Sequence, residues 1–292
     1  MIRDVSTSGS TGIPAALTYS GRAHSAAVSA ATARRWGAFY YAEHALRSMR
    51  AYLGTIALES IGSPLLYLYA LGVGLAVLVD RNGVAAGGVS YLQFVAPALV
   101  TSAALMTVGL EMMFPVMDGF KWRRVYFGPN ASPLAPGQIA AGHIMAVGVR
   151  LTVQTVAYVG ILHLFGAVPL LGTGWLMVPI TVLGALAFGA PVMAYSASLE
   201  GEGFQFSMIQ RFVITPLFLF SGTFYPLETM PAGLQWIGWI SPLWHTTQLA
   251  RVVSFGLPVP GWLLVVHVAV LVALAVVGMT LARRFFARRL GR

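Results

Sequence analysis

Hydrophobic residues in this chain run on in long stretches and do not alternate with polar residues. Six stretches reach the roughly 17–25 residues that a helix needs to cross a bilayer. Only helices and closed barrels satisfy their backbone groups in lipid, and continuous apolar runs favour helices. The pattern therefore predicts an all-α integral membrane protein with six transmembrane helices. The predicted spans are residues 52–78, 92–114, 139–165, 175–196, 204–222 and 262–282.

A shorter amphipathic pattern precedes the first apolar stretch. Over residues 36–50, apolar side chains recur at helical spacing and basic residues lie on the opposite arc. This is typical of an N-terminal helix at a membrane interface, although an ordinary juxtamembrane helix has a similar pattern. Residues 1–35 lack a sustained apolar run, so we expect a mobile cytoplasmic tail there and the permeation domain in residues 51–292. The residues assigned to the interfacial helix are Trp36, Phe39, Arg47 and Arg50.

Composition and charge placement agree with a membrane location. Hydrophobic residues make up 57% of the chain and charged residues only 9%, whereas soluble domains carry about 25% charged residues. The net charge is +9, and the basic residues lie mostly between the apolar runs. A nucleic-acid-binding protein would cluster them on one soluble face, so this placement argues against a nucleic-acid partner. With six crossings, 14 of the 18 Lys and Arg residues fall on the side of the termini, and only Arg81 and Arg251 fall on the other side. The positive-inside rule therefore predicts cytoplasmic termini.

The chain lacks the residues that several kinds of active site need. It has no cysteine, which excludes disulfides, thiolate zinc sites and iron–sulfur clusters. Its single lysine, Lys121, is followed by Trp122, so no Gly-Lys-Ser/Thr phosphate-binding loop exists. The nine acidic residues show no DxxD, HExxH or GxSxG pattern. We expect no catalytic, metal or cofactor site in this chain, and ATP with its Mg²⁺ would bind to another chain.

Charged residues also occur inside the predicted spans. Glu59 lies in the first span and Arg150 in the third. A charge in lipid costs at least ~2.5 kcal/mol on insertion scales, so it usually faces protein or water. Each of the two is therefore either bound to an internal structural partner or part of a pathway lining. Glu111 and Arg211 lie near span ends, where we expect them to reach the interface by snorkelling.

The connection between the second and third spans, residues 117–134, combines aromatic and charged side chains. Such a mixture suits docking to another protein, because buried aromatic anchors commonly dominate interfaces. A loop helix that lies on the membrane surface is the alternative. The docking hypothesis predicts that Trp122 and Tyr126 insert into a cleft on the partner.

The segment from Phe220 to Trp244 is the most aromatic connection on the outer side. Gly222, Pro226 and Pro231 oppose one straight helix there. We predict a re-entrant or interface-lying helical hairpin before the last span, with His245 and Arg251 near the outer surface. A flexible outer loop is the alternative. The gate candidates are Phe220, Phe224, Tyr225, Trp236, Trp239 and Trp244.

Several short motifs occur in a fixed order along the chain. They are Ser63-Pro64-Leu65-Leu66-Tyr67, Tyr91-Leu92-Gln93-Phe94-Val95-Ala96-Pro97, Ser132-Pro133-Leu134, Phe220-Ser221-Gly222-Thr223-Phe224-Tyr225-Pro226-Leu227 and Ser241-Pro242-Leu243-Trp244-His245. With these motifs the chain resembles the ABC-2 permease family over about residues 35–290. The resemblance is greatest to the branch of nodulation-type lipo-oligosaccharide and daunorubicin-type drug exporters. One departure is Gly142-His143, where relatives often carry Gly-Glu.

The resemblance implies a permease subunit that pairs with a second copy or a paralogue and binds two ABC ATPase subunits. It implies ATP-driven export of a lipid, glycolipid or amphipathic drug across a bacterial cytoplasmic membrane, with ATP and Mg²⁺ on the ATPase. The family's coupling elements map to residues 117–132, 197–209 and 36–50. The implied coupling residues are Asp118, Lys121, Trp122, Arg123, Arg124, Tyr126, Glu200 and Glu202. The alternatives are an ATP-independent carrier or channel, and a lipid-modifying membrane enzyme.

Overall fold

The computed structural model describes residues 25–75, 79, 88–201 and 203–291. Within these residues the regular structure is entirely helical, which confirms the all-α prediction for that part of the chain. The helices are α1 (Ala26–Met49), α2 (Leu53–Tyr67), α3 (Tyr91–Met117), α4 (Phe127–Asn130), α5 (Pro136–Leu164), α6 (Met177–Ser198), α7 (Phe204–Ile209), α8 (Thr215–Phe220), α9 (Ala232–Ile240), α10 (Pro242–Phe255) and α11 (Gly261–Leu290).

Turns of π-helix extend or join some of these helices. Leu68–Leu75 continues α2, Asp118–Trp122 continues α3, and Gln210–Ile214 joins α7 to α8. Short 3-10 turns also occur, at Arg50–Tyr52 before α2 and at Gly174–Leu176 before α6.

Four helices in the described ranges are long and apolar enough to cross a membrane. They correspond to the second, third, fourth and sixth predicted spans. The helical run Phe204–Phe220 is apolar but shorter, and the helix that follows residue 53 leads into residues outside the described part. The first and fifth crossings therefore stay predictions. The four long helices are Tyr91–Trp122, Pro136–Leu164, Gly174–Ser198 and Gly261–Leu290.

Local sequence sets where the helices begin. Ser90 and Gln93 form a capping box at the start of α3, each side chain accepting from the other's backbone N–H at 3.3 and 3.2 Å. Ser25 caps α1, since its side chain accepts from the backbone N–H of Val28. This helix begins at Ala26 and not at residue 36, because the Ala-rich stretch after Ser25 has high helix propensity. Residues before 25, the rest of the predicted tail, lie outside the described part.

Helix α6 lies at the centre of the bundle and packs against α3, α5, α10 and α11. Small residues allow the close approach. A side chain on Gly189 of α6 would meet Val108 of α3, and one on Gly278 of α11 would meet the backbone of α6 at Pro191. The buried face of α6 is correspondingly rich in Gly and Ala.

The buried core is divided between the two ends of the bundle. One cluster surrounds Met112, Tyr126 and Phe286, and the other surrounds Phe94 and Tyr158. We call the end with the first cluster the basic end, because it carries the Lys and Arg residues of the loop after α3 and of the end of α11. The start of α5 lies there as well. We call the second the hairpin end, because the chain from α8 to α10 reverses there.

The segment after α8 contains two helices, α9 and α10, where the sequence predicted a helical hairpin, and we call this segment the hairpin. After the bend around Gly222, whose φ of 70° lies in the left-handed region, α9 and α10 run on either side of Ser241. Ser241 caps α10 by accepting from the N–H groups of Leu243 and Trp244. The turn between the helices lines a groove with Pro191 of α6. Helix α10 packs against α3, α6 and α11, whereas Ile240 at the turn is exposed; the position of the hairpin in a bilayer stays a prediction.

Candidate functional site

Segments that are distant in sequence meet at the basic end. Lys121 Nζ, after α3, donates to the carbonyl of Glu200, after α6, at 3.4 Å. Asn130 Nδ2 of α4 donates to the carbonyl of Leu290, at the end of α11, at 3.0 Å. The loop of residues 118–135 is therefore tied to the ends of both α6 and α11, and the structure brings together two of the three predicted coupling elements.

Helix α1 supplies the third element. Gln138 Nε2, at the start of α5, donates to the carbonyl of Arg34 at 2.6 Å. A Cβ built on Gly142 would lie 2.5 Å from the carbonyl oxygen of Ala38 and 2.8 Å from the Cβ of Tyr41. Gly142 precedes His143, the position where relatives often carry Glu. At Gly142 the backbones of α1 and α5 are in direct contact.

One face of α1 is exposed and carries both apolar and charged side chains. Trp36 and Phe39 are exposed and lie with ring centroids 5.4 Å apart. Arg47 forms an ion pair with Glu43 one turn earlier, at 2.5 Å, and Arg50 is exposed. Such an exposed pair contributes little to stability, so these side chains remain available to lipid or protein.

The loop after α3 is held in shape by its own charges. Arg123 Nη2 lies 2.6 Å from Asp118 Oδ2, and the hydrogen bond to this carboxylate raises the pKa of Arg123. Arg124 has a φ of 56°, the left-handed value that reverses the chain. Its guanidinium lies 4.6 Å from the ring centroid of Phe127. Both guanidinium groups stay on the outside of the loop.

Tyr126 lies inside this loop, 1% exposed. Its ring contacts Phe120 and Phe286 at centroid distances of 4.9 and 5.2 Å, and Tyr41 of α1 at 6.1 Å. Its hydroxyl lies 3.3 Å from His143 Nδ1, and burial raises its pKa well above the ordinary value. A direct insertion of Tyr126 into a partner does not fit this position. The side chain instead joins the loop to α1, α5 and α11.

Trp122 occupies the opposite position, with 47% of its surface exposed. Its ring stacks on that of Phe114, with 6.5 Å between the ring centroids. Phe206 of α7 packs edge-on against the Phe114 ring, with the centroids 5.4 Å apart. One face of the indole is thus covered by Phe114, and about half of the side chain stays exposed; Arg123 and Arg124, which follow it in the chain, are exposed as well. An exposed aromatic group among cations is suited to a protein partner.

Arg150 has an internal partner, and its position is compatible with both alternatives that the sequence left open. Its guanidinium forms an ion pair with Glu111 of α3, both side chains being largely buried. Glu111 was expected to snorkel; it faces α5 because its position on α3 points it into the bundle. The pair also lines a cavity of about 470 Å³ under α1 and α2, together with Tyr52 and His143. Glu111 is the site residue that the sequence pattern missed.

Two predicted site residues lie outside the described side chains. Glu59 belongs to α2, but its side chain is not among those described. Glu202 is also outside the described residues. Its neighbour Glu200 is exposed, and its carbonyl accepts from Lys121.

The gate candidates divide into exposed and internal groups. Trp236 and Trp239 are exposed on α9. Tyr225 is also exposed, and its hydroxyl donates to the carbonyl of Leu219 at 3.3 Å. Phe220 and Phe224 are partly buried beside the bend.

Trp244, His245 and Arg251 differ from the prediction, because they are buried. Trp244 was expected in the headgroup layer, yet it is 2% exposed. His245 and Arg251 were expected near the outer surface, yet each is 1% exposed. The reason is that the hairpin folds inward, so that α10 packs against α3, α6 and α11.

Arg251 binds backbone groups from two separate segments. Its Nε donates to the carbonyl of Phe94 at 3.2 Å, and its Nη2 donates to the carbonyls of Gly222 and Thr223 at 2.8 and 3.3 Å. The guanidinium carbon lies 3.7 Å from the centroid of the Phe94 ring. This arginine therefore fixes the bend after α8 to the beginning of α3.

Comparison with known proteins agrees with this geometry. The family model of the ABC-2 type transporter matches residues 47–255. Nodulation protein J of Rhizobium leguminosarum bv. trifolii is 30% identical over 237 residues, which cover 80% of this chain and 86% of the relative. The namesake from Rhizobium leguminosarum bv. viciae is 28% identical over 244 residues, 80% of this chain and 88% of the relative. That from Rhizobium meliloti (strain 1021) is 26% identical over 242 residues, with 80% and 86% coverage.

The matched region contains the loop after α3, the connection after α6 and the whole hairpin. The resemblance read from the short sequence motifs is thereby confirmed. The chain belongs to the ABC-2 type transporter family, whose members are transporter membrane subunits without an ATPase domain of their own.

Proposed function

We propose that this chain is the permease subunit of an ABC exporter in a bacterial cytoplasmic membrane. It moves a lipid, a glycolipid or an amphipathic drug with energy from ATP hydrolysed by two partner ATPase subunits. The observation that carries the proposal is the meeting of α1, the loop after α3 and the connection after α6 at one basic end. Hydrogen bonds join the loop to the connection after α6 and to the end of α11, and Tyr41 of α1 contacts Tyr126 of the loop, so the three elements can move together.

The coupling face combines an exposed anchor with a buried support. Trp122 provides the anchor, and the exposed Arg123 and Arg124 of the same loop carry positive charge that suits an acidic rim on the ATPase. Tyr126 provides the support, because it contacts Phe286 of α11 and the α1–α5 junction. Movement of the loop is thereby transmitted to helices that pass through the bundle.

The orientation follows from the same face. If ATPase subunits bind the basic end, that end and both termini are cytoplasmic, as the positive-inside rule predicts. The chain has no cysteine, so single cysteines at Ser132 and Ala232, both exposed, can be probed with an impermeant thiol reagent. In intact cells we expect labelling at residue 232 alone. Labelling at residue 132 would reverse the orientation.

The permeation pathway requires a second permease chain, either another copy or a paralogue. Exposed apolar side chains on α2 and along the run Phe204–Phe220 supply surfaces for such pairing, among them Leu66 and Phe212. The cavity beneath α1, with the Glu111–Arg150 pair at its wall, offers a polar site for the headgroup of an amphipathic substrate. Membrane lipids complete the surroundings.

One observation favours the alternative of an ATP-independent carrier. The Glu111–Arg150 pair lines a cavity, and an intramembrane ion pair is also a means of ion coupling. The two functions differ in their energy source. Transport that follows an imposed ion gradient without ATP would favour the carrier.

The decisive experiment reconstitutes the chain in proteoliposomes with the ATPase that co-purifies with it. A fluorescent lipid analogue reports ATP-dependent movement between leaflets. Trp122→Ala should abolish most of the ATP-dependent transport, whereas Trp175→Ala, 46% exposed at the other end, should retain it. Equal transport by both variants, or full transport after the ATPase is omitted, would overturn the proposal.

A further inference from the structure

One exposed face of α11 changes from apolar to cationic towards the end of the helix. Val277, Leu281, Arg284 and Arg288 are all exposed. They follow one another at spacings of four, three and four residues, which place them along a single helix face. Hydrocarbon chains fit the first two side chains, and a negatively charged headgroup fits the last two. A phospholipid that lies along this face would meet both parts in the order in which its own parts occur.

Helix α1 brings further arginine side chains to the same place. Gln138, in the first turn of α5, donates to the carbonyl of Arg34 at 2.6 Å. A Cβ built on the neighbouring Gly137 would lie 3.6 Å from Cγ of Arg283. Helices α1 and α11 therefore meet the same turn of α5. Arg34 precedes Ala38, which contacts α5, by four residues, so both lie on the same side of α1.

The exposed arginines of these two helices have no acidic partner. We call them the arginine patch: Arg34, Arg35, Arg283, Arg284 and Arg288. Within the residues that the structure describes, none of the five forms an ion pair, whereas Arg47, Arg123 and Arg150 each pair with a carboxylate. Arg289 turns inward and donates to the carbonyl of Ala197 at 3.2 Å. The patch is therefore a concentration of positive charge that is open to an external anion.

Apolar and aromatic side chains beside the patch favour a lipid over a free anion. Trp36, Phe39 and Tyr40 of α1 are exposed, and the guanidinium of Arg35 lies 5.5 Å from the centroid of the Trp36 ring. Tryptophan and tyrosine prefer the headgroup layer of a membrane, and clustered arginines next to a membrane helix attract anionic lipids. A free phosphate would match the charges only, whereas a phospholipid would also cover the apolar part of the α11 face.

We propose that the arginine patch binds the headgroup of an anionic phospholipid. The guanidinium groups of α1 and α11 would donate to the phosphate oxygens, since the planar guanidinium matches phosphate geometry. The acyl chains would lie along Val277 and Leu281. One lipid would thereby join α1 to the end of α11 across the first turn of α5. This binding requires neither an ATPase nor a particular direction of transport.

Native mass spectrometry of the full chain in detergent tests this binding. Dioleoyl phosphatidylglycerol and dioleoyl phosphatidylcholine are titrated separately, and the dissociation constant of the first bound lipid is read from the lipid-bound and lipid-free peaks. We expect phosphatidylglycerol to bind at least about 10-fold more tightly, because it carries a net negative charge. Glycerol 1-phosphate, which lacks acyl chains, should not displace it at equal concentration. Equal affinities of the two lipids, or displacement by equimolar glycerol 1-phosphate, would overturn the proposal.

Matched double variants separate the patch from the general positive charge of this end. Arg34→Gln combined with Arg284→Gln removes one charge from each helix, and the affinity for phosphatidylglycerol should fall about 5-fold for each arginine. An unchanged affinity for phosphatidylcholine would show that the variant keeps its fold. Arg47→Gln combined with Arg124→Gln removes two exposed charges outside the patch and should change the affinity for phosphatidylglycerol by less than about 2-fold. Equal losses in the two double variants would contradict a defined site.

The other possible occupants of the patch give different results. If Arg34→Gln with Arg284→Gln lowers the yield of a permease dimer and leaves the lipid affinity unchanged, the patch is an interface between two copies, and the lipid site is rejected. Loss of a co-purifying ATPase with unchanged lipid affinity would reject it in the same way. Failure of lipid binding leaves the exporter proposal intact, because the lipid titration contains no ATPase.

Discussion

The two ends of the molecule use the same residue types in opposite ways. At the basic end, Trp122, Arg123 and Arg124 are all exposed. At the hairpin end, Trp244 and Arg251 are buried, and the arginine binds backbone carbonyls. One end therefore leaves its aromatic and cationic groups on the surface, whereas the other uses them to hold its own chain in place.

This difference shows that residue type alone does not separate a docking surface from an internal site. Arginine and tryptophan are enriched at protein interfaces, yet at the hairpin end they are interior. Whether the arginine is buried depends on whether the backbone carbonyls of a bend need a hydrogen-bond donor. The bend at Gly222 leaves two carbonyls that Arg251 satisfies, and no comparable demand acts on Arg123 or Arg124.

The largest effect is expected at Arg251. Arg251→Leu leaves the carbonyls of Phe94, Gly222 and Thr223 without their donor, at about 1–3 kcal/mol for each unsatisfied group. We expect a loss of about 3–5 kcal/mol in stability, seen as a lower midpoint of thermal unfolding in detergent. Arg251→Lys should be intermediate, because an ammonium group cannot form the planar fork.

The matched control for Arg251 lies at the other end. Arg124→Ala should change the midpoint little, since its guanidinium is exposed. A similar loss of stability in both variants would remove the distinction between the two ends.

A smaller effect is expected at the Glu111–Arg150 pair. Arg150→Met leaves the Glu111 carboxylate in a mostly buried site, and we expect a loss of about 2–3 kcal/mol. Adding Glu111→Gln removes that uncompensated charge, so the double variant should recover part of the stability. The double-mutant cycle is measured by thermal unfolding. Purely additive losses would show that the pair contributes no coupling energy.

The smallest stability effect is expected where α1 rests on α5. Gly142→Ala places a methyl group against the carbonyl of Ala38 and the side chain of Tyr41, and overpacking of this kind costs about 1–3 kcal/mol. Gly148→Ala, in the same helix, meets only a leucine methyl group at 3.7 Å and should be neutral or stabilising. Limited proteolysis of α1 reports the difference. Equal protection in both variants would show that α1 is held by other contacts.

Much of the fold could be predicted because it depends on local pattern. Continuous apolar runs gave the four long helices, and Gly222, Pro226 and Pro231 indicated the hairpin. The hydrophobic period also placed α1, although its first turns were missed because they depend on alanine propensity and the Ser25 cap more than on amphipathicity.

The burial of particular side chains could not be predicted, because it depends on contacts far apart in sequence. Arg251 and Phe94 are separated by 157 residues, so no local pattern links them. Tyr126 is aromatic and lies in a charged loop, which made a surface position plausible, but Phe286 and Tyr41 cover it from distant elements. The partner of Arg150 was missed for the same reason.

The proposed function requires that ATPase subunits dock on the basic end through Trp122. The chain has no cysteine, so a photo-crosslinker can be attached to a single cysteine in Trp122→Cys or, as the matched control, in Trp175→Cys. Illumination of the complex should yield a permease–ATPase adduct from residue 122 and none from residue 175. An adduct from residue 175 alone, or equal yields from both, would contradict the claim.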